Sequence, residues 1–233
     1  MRKKEILLMA SAVGMLFSGC SSLSSKGDIN SSNSEGKTAI ISAVQNSKGS
    51  VSMLIDKGAN INAKDAFGNT PIFIAVEKKD RETIKLLIDK GANVTIKNNA
   101  GETPFTAAAR NGDLETIKLL MTKGVSINVK DGRGNTILIE ALTRNNEEMV
   151  KFLIENGANV NVRDMWMNKQ KTALMIAIEN YMPLEILELM LSKGVDITAK
   201  DEIGNTPLMI AVERNNLEAV KFLLDKGAAV SEK

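Results

Sequence analysis

The sequence predicts an all-α chain, a solenoid of about six short helix-turn-helix units, and three observations predict it. Threonine opens a turn-then-helix pattern at Thr38, Thr70, Thr103, Thr136, Thr172 and Thr206, with gaps of 32, 33, 33, 36 and 34 residues. Between 20 and 22 residues after each stands a glycine, at Gly58, Gly91, Gly124, Gly157, Gly194 and Gly227, followed by Ala or Val. Apolar residues recur at helical spacing in between, as in Ile84, Leu87 and Ile88. A unit this small cannot bury its own apolar face, so successive units must lean on one another. The composition agrees: 43% hydrophobic but only 3% aromatic suits thin helices packed through Leu, Ile, Val and Ala.

Residues 1–19 read as a secretory signal. Arg2, Lys3 and Lys4 precede an apolar run from Ile6 to Phe17, twelve residues, too short to cross a hydrocarbon layer of about 30 Å as a helix. The run ends in Leu16-Phe17-Ser18-Gly19-Cys20, which resembles a bacterial lipoprotein box, with Phe17 where that family usually has an aliphatic residue. The resemblance implies that Cys20 is lipidated and becomes the new first residue, anchored by several acyl chains. It also implies export to the cell envelope, on the inner or outer membrane, facing the periplasm or the cell surface. The plainer alternatives are a free cysteine beside an ordinary cleavage site, or an uncleaved anchor. Cys20 is the only cysteine, which excludes an internal disulfide and a Cys-rich metal site. After it, residues 20–32 carry little that could be buried and read as a flexible Ser-rich tether.

The repeat domain is expected over 33–233, with units at about 33–64, 65–97, 98–130, 131–163, 164–200 and 201–233. In the second unit, Asp65-Ala66-Phe67-Gly68-Asn69 is a turn sequence in which Gly68 can take positive φ. Thr70 then caps a helix with Pro71 at its first position. A second helix starts at Asp80, and Asp113, Asn146 and Asn216 stand ready to cap at the matching places. Its apolar stripe returns as Ile117, Leu120, Met121 and as Val220, Leu223, Leu224. Gly91 and its counterparts end each second helix in the left-handed conformation.

These residues, Asp65-x-x-Gly68-x-Thr70-Pro71-x-x-x-Ala75 followed by Ile-Lys-Leu-Leu-Ile-Asp-Lys-Gly91-Ala92-Asn93, resemble an ankyrin repeat, and Thr103-Pro104 and Thr206-Pro207 match as well. The resemblance implies helix pairs with hairpin-like fingers and a concave surface that binds other proteins. Ankyrin repeats usually carry histidine shortly after Thr-Pro, whereas this chain has none; Phe73, Thr106, Ile139, Met175 and Met209 stand there, and apolar packing is expected to substitute. Unit one lacks a residue between its helices. Unit five has a finger three residues longer than unit four's, plus one extra residue near Tyr181-Met182-Pro183.

Little else points to chemistry. Without histidine, Ser-His-Asp and Cys-His catalysis and the commonest zinc ligand are excluded. Asp65, Asp131, Asp164 and Asp201 come one to a turn, which favours turn formation over calcium binding. No phosphate-cradling glycine run occurs. Loss of residues 1–19 would leave 27 basic and 27 acidic residues, so a nucleic-acid partner is not expected. Neither an enzyme, a cofactor, a metal nor a small-molecule substrate is expected.

Carried onto this chain, the resemblance implies partner contacts at Phe67, Asn69, Glu77, Lys78, Asn99, Glu102, Arg110, Asn111, Arg133, Asn135, Arg144, Trp166, Glu179, Ile203, Asn205 and Arg214. Trp166, flanked by Met165 and Met167, is either an interface anchor or a side chain folded back on a neighbouring finger. The other methionines fall mostly on helix stripes, where core gap-filling is favoured over an adaptable binding face. The function so read is a membrane-anchored adaptor binding an unidentified protein. Its alternatives are a surface-displayed structural or host-interaction protein and a helper or inhibitor of a periplasmic enzyme.

Overall fold

A computed structural model describes residues 28–46, 50–165 and 170–229. Among them are twelve α-helices, and the only β-pairing is in isolated bridges. The chain divides into two bodies, Met1–Pro104 and Phe105–Lys233. The first holds α1 (Ala39–Asn46), α2 (Val51–Asp56), α3 (Pro71–Glu77) and α4 (Arg81–Asp89). α1 packs against α2 and α3, and α3 against α4. At the boundary begins α5 (Pro104–Arg110). The second body continues with α6 (Leu114–Met121), α7 (Ile137–Thr143), α8 (Glu147–Glu155), α9 (Ala173–Glu179), α10 (Leu184–Ser192), α11 (Pro207–Glu213) and α12 (Leu217–Asp225). There the helices form two rows, α7 on α9 on α11 and α8 on α10 on α12, with α7, α9 and α11 each also packed on the second helix of its own unit.

The predicted caps are present with one refinement. Oγ1 of Thr70, Thr172 and Thr206 accepts from the amides of Phe73, Met175 and Met209 at 3.4, 3.2 and 3.3 Å. Asp80, Asp113, Asn146 and Asn216 do the same for α4, α6, α8 and α12. In contrast, Thr38 and Thr136 bury their hydroxyls without a partner. A lost cap costs about 1 kcal/mol, whereas removing an unpartnered buried hydroxyl at constant shape is neutral or favourable. Thr70→Val is therefore expected to lower stability by about 1 kcal/mol, while Thr136→Val leaves it unchanged or raises it; urea-unfolding midpoints of the two variants check this.

Ile84, Leu87, Ile88, Ile117 and Leu120 are buried as the spacing predicts, with Met121 half-buried. The last stripe is turned: Ala219, Phe222 and Leu223 face the core, Val220 is half-buried, and Leu224 is 45% exposed. Phe73, Ile139 and Met175 are buried at the histidine positions, so apolar packing does replace that side chain there. Thr106 is buried too, and Met209 is half-buried.

Folded structure begins before residue 33. Asn30 Oδ1 accepts the Asn60 amide at 2.6 Å, and Ser32 bridges to Thr38, so residues 28–32, read with the tether, are held on the first repeat. The same contact recurs as a rung between successive repeats. Asn62 accepts from the Asn93 amide, Asn128 from Asn159, and Asn161 from Asp196, each at 2.8 Å. Thr95 and Thr198 occupy the equivalent places and bond back to Asn93 and Asp196. Each rung satisfies a backbone amide on an exposed arm that no sheet pairs. Among the described residues no helix is long and apolar enough to cross a membrane.

Candidate interaction surface

Each finger is a short turn knotted by one polar side chain. In the first body, Asp65 Oδ1 accepts from the amides of Phe67 at 2.9 Å and Asn69 at 2.8 Å. In the second, Asp131 accepts from Arg133 and Asn135, and Asp201 from Ile203 and Asn205. Asn33 and Asn98 act identically in their own turns. An Asx turn of this kind fixes the backbone of a tip that lies at the surface. Accordingly Phe67 is 72% exposed, Ile203 is 62% exposed, and Arg133 is exposed. Asp164, buried like Asp201, also accepts from Asn135 Nδ2 at 3.0 Å.

Within the first body the fingers are also tied to one another. The Asn99 amide donates to Phe67 O at 2.9 Å, and Asn99 Nδ2 donates to Ala66 O at 3.1 Å. Phe67 is therefore an exposed ring on a fixed backbone. Asn99, Glu77 and Lys78 are exposed as well, with Glu102 half-buried. Lys78 reaches back to Gln45 O.

In the second body the exposed predicted residues are Arg133, Arg144, Ile203 and Arg214, while Arg110 and Asn111 are half-buried. Arg144 pairs with Glu140 at 2.5 Å.

Four of the predicted contact residues are engaged within the chain. Asn135 is only 6% exposed and is a wedge between fingers, donating to Asp164 and accepting from the Met165 amide at 2.7 Å. Burial and these two bonds commit Asn135 to the contact between neighbouring fingers. Asn69 and Asn205 are half-buried and clasp Asp65 and Asp201, so they hold the turn. The Glu179 side chain is 18% exposed; it accepts from Lys171 at 2.5 Å and from Arg214, which joins the base of the fifth finger to the sixth repeat. Burial, and then the Arg214 charge, push the Lys171 ammonium below the ordinary lysine range.

Trp166, Met167 and Cys20 lie outside the described residues. Two exposed side chains near the fifth repeat were not among the predicted contacts: Met165 at 55% and Tyr181 at 60%, the latter donating to Arg214 O at 2.5 Å. Tyr181 is the only tyrosine in the chain, which was a signal of sorts. Lys171 gave none, because the longer finger decides where it points. Among the described residues no group of three or more His, Cys, Asp or Glu is placed to hold a metal ion.

The family profile described as "Ankyrin repeats (3 copies)" matches residues 7–98, 93–164 and 164–233. The crystal structure of the ankyrin repeat domain of Bcl-3, "a unique member of the IkappaB protein family", is similar with a TM-score of 0.73 and 27% identity, covering 91% of each chain. Two putative ankyrin repeat proteins of fowlpox virus (strain NVSL) are similar over shorter stretches. FPV219 is 51% identical over 47 residues, 20% of this chain, and FPV244 is 46% identical over 48 residues, 21% of it. The chain spans only 11% and 7% of the length of these curated relatives. With profile matches over most of its length and a solved ankyrin domain of like fold, the chain belongs to the ankyrin repeat family, whose repeats imply a role in protein–protein interaction.

Proposed function

We propose that the protein is an exported adaptor, tethered to a bacterial envelope membrane through a lipidated Cys20, that binds a protein partner with its finger tips and the exposed ends of its first helices. The observation that carries the binding reading is Phe67, a ring 72% exposed on a turn locked by Asp65 and by Asn99. A rigid aromatic on an otherwise polar rim can anchor an interface without an ordering cost on association. Affinity capture from envelope fractions tests it. Phe67→Ala is expected to weaken the captured complex by at least about tenfold, as for an aromatic hot spot, with the unfolding midpoint unchanged because the ring is exposed. Equal capture by the variant removes Phe67 from the interface.

The anchoring reading is supported by the order of charged, apolar and small residues up to Cys20. Detergent cloud-point partition checks it separately: the wild-type chain is expected in the detergent phase with palmitate label incorporated, and Cys20→Ser in the aqueous phase without label. A wild-type chain that stays aqueous ends the lipid reading and leaves the adaptor reading standing.

A further inference from the structure

The stem of the fifth finger is built differently from those beside it. Just before the capping threonine, units two, four and six carry Asn69, Asn135 and Asn205, and each donates its side-chain amide to a finger aspartate. In unit five that residue is Lys171. Its ammonium lies 2.5 Å from Glu179 Oε2 at the end of α9, and Arg214 of the sixth unit reaches Glu179 Oε1. The Lys171 and Glu179 side chains are only 20% and 18% exposed, so water and salt screen this pair less than an open surface pair.

The incoming strand of the stem has a clamp of its own. Arg163 Nη1 donates to Gln170 O at 2.9 Å across the stem, and to Lys200 O at the base of the sixth finger at 2.8 Å. Gln170 sits at φ +44°. The other non-glycine residues with positive φ among the described residues, Lys79, Asn145, Tyr181 and Asn215, all lie in turns between the two helices of a unit, so Gln170 is the one that carries this strain on a finger. Strained backbone persists where its surroundings over-determine it, and it collects at binding sites. Asp164 N to Lys171 O and Ala173 N to Val162 O, both at 2.9 Å, join the two strands. From this stem projects Met165, 55% exposed, with its amide fixed on Asn135 at 2.7 Å.

We propose that Arg163, Lys171 and Glu179 are the positioning residues of the fifth finger, holding the stem from which Met165 meets a protein partner. The proposal rests on the reading that the finger tips bind a protein. A finger ordered before association loses little freedom on binding, which is what a charged clamp on both strands supplies.

Hydrogen exchange followed by NMR on the purified full chain in detergent micelles tests the placement. Lys171→Met keeps the aliphatic part of the side chain and removes the ammonium. The Asp164 and Ala173 amides should then exchange about tenfold faster or more, as for loss of a charge-assisted bond that closes a local opening. The Asp131 and Asp201 amides, which close the fourth and sixth fingers on Asn135 O and Asn205 O, should keep their rates. Arg163→Met should free the same stem amides, and Lys171→Arg should restore them. In affinity capture from envelope fractions, Lys171→Met should weaken the complex and Lys171→Arg should recover it. Stem protection that survives Lys171→Met overturns the proposal, as does a loss shared equally by all three fingers. If the stem loosens and capture is unchanged while Phe67→Ala still weakens it, the fifth finger is outside the interface; the proposal falls and the adaptor reading stands. A wild-type chain that captures no protein ends both.

Discussion

Gly68→Ala should destabilise the first body by about 3 kcal/mol, the sum of a left-handed backbone forced on a side chain and a steric collision. Gly68 sits at φ +77°, which costs an L-residue roughly 1–2 kcal/mol. A Cβ there would lie 2.5 Å from Asn99 Oδ1 and 2.9 Å from the Asn99 backbone nitrogen. Neither atom can withdraw cheaply, since the Asn99 amide donates to Phe67 O and its side-chain amide donates to Ala66 O. Gly204→Ala is the control: φ is +89° with no atom within 4 Å of the new Cβ, so the backbone term of about 1–2 kcal/mol stands alone. Urea unfolding of the two variants separates the terms. Equal losses would show that the Asn99 contact yields freely. Because the collision displaces the backbone carrying Phe67, Gly68→Ala should also reduce partner capture, and Gly204→Ala should leave the Phe67 contact intact.

Leu153→Ala is expected to cost about 3 kcal/mol, within the range of 2–5 for a leucine deleted from a closed core. Leu153 is fully buried in α8, which packs on α7 and α10, and its carbonyl accepts the Ala158 amide at 2.9 Å to close the helix. The void left by the missing methyls cannot be filled by one helix shifting alone, because α8 is held on both sides. Leu224→Ala, from a side chain already 45% in water, should cost less than about 1 kcal/mol. A denaturation series that found the two alike would mean that α8 relaxes into the gap.

Local chemistry is what the sequence made legible. Thr70 with Pro71, Asp80, and the glycine ends of the second helices are set by short-range hydrogen bonds and steric limits, so their roles could be read residue by residue. The helix stripes were legible too, until α12, where burial depends on a neighbouring helix pair and Leu224 is left in water. For the surface, the resemblance pointed to Phe67 and Ile203, which are exposed, and to Asn135, which is buried. Its burial is decided by Asp164 and Met165 of the next finger, at sequence separations of 29 and 30. The rung asparagines escaped for the same reason. Asn30, Asn62, Asn128 and Asn161 recur in polar arms that look like linker, and only the neighbouring repeat shows what each amide satisfies.

Those rungs bear on how the protein could change over generations. From Asn62 to Asn93 and from Asn128 to Asn159 the offset is 31 residues, but from Asn161 to Asp196 it is 35, with the same atoms joined at the same 2.8 Å. The four extra residues of the fifth unit thus fall between rungs of unchanged length, and α9 still packs on α7 and α11. A chain built so can lengthen one loop to suit a new binding target without recutting the scaffold beneath it.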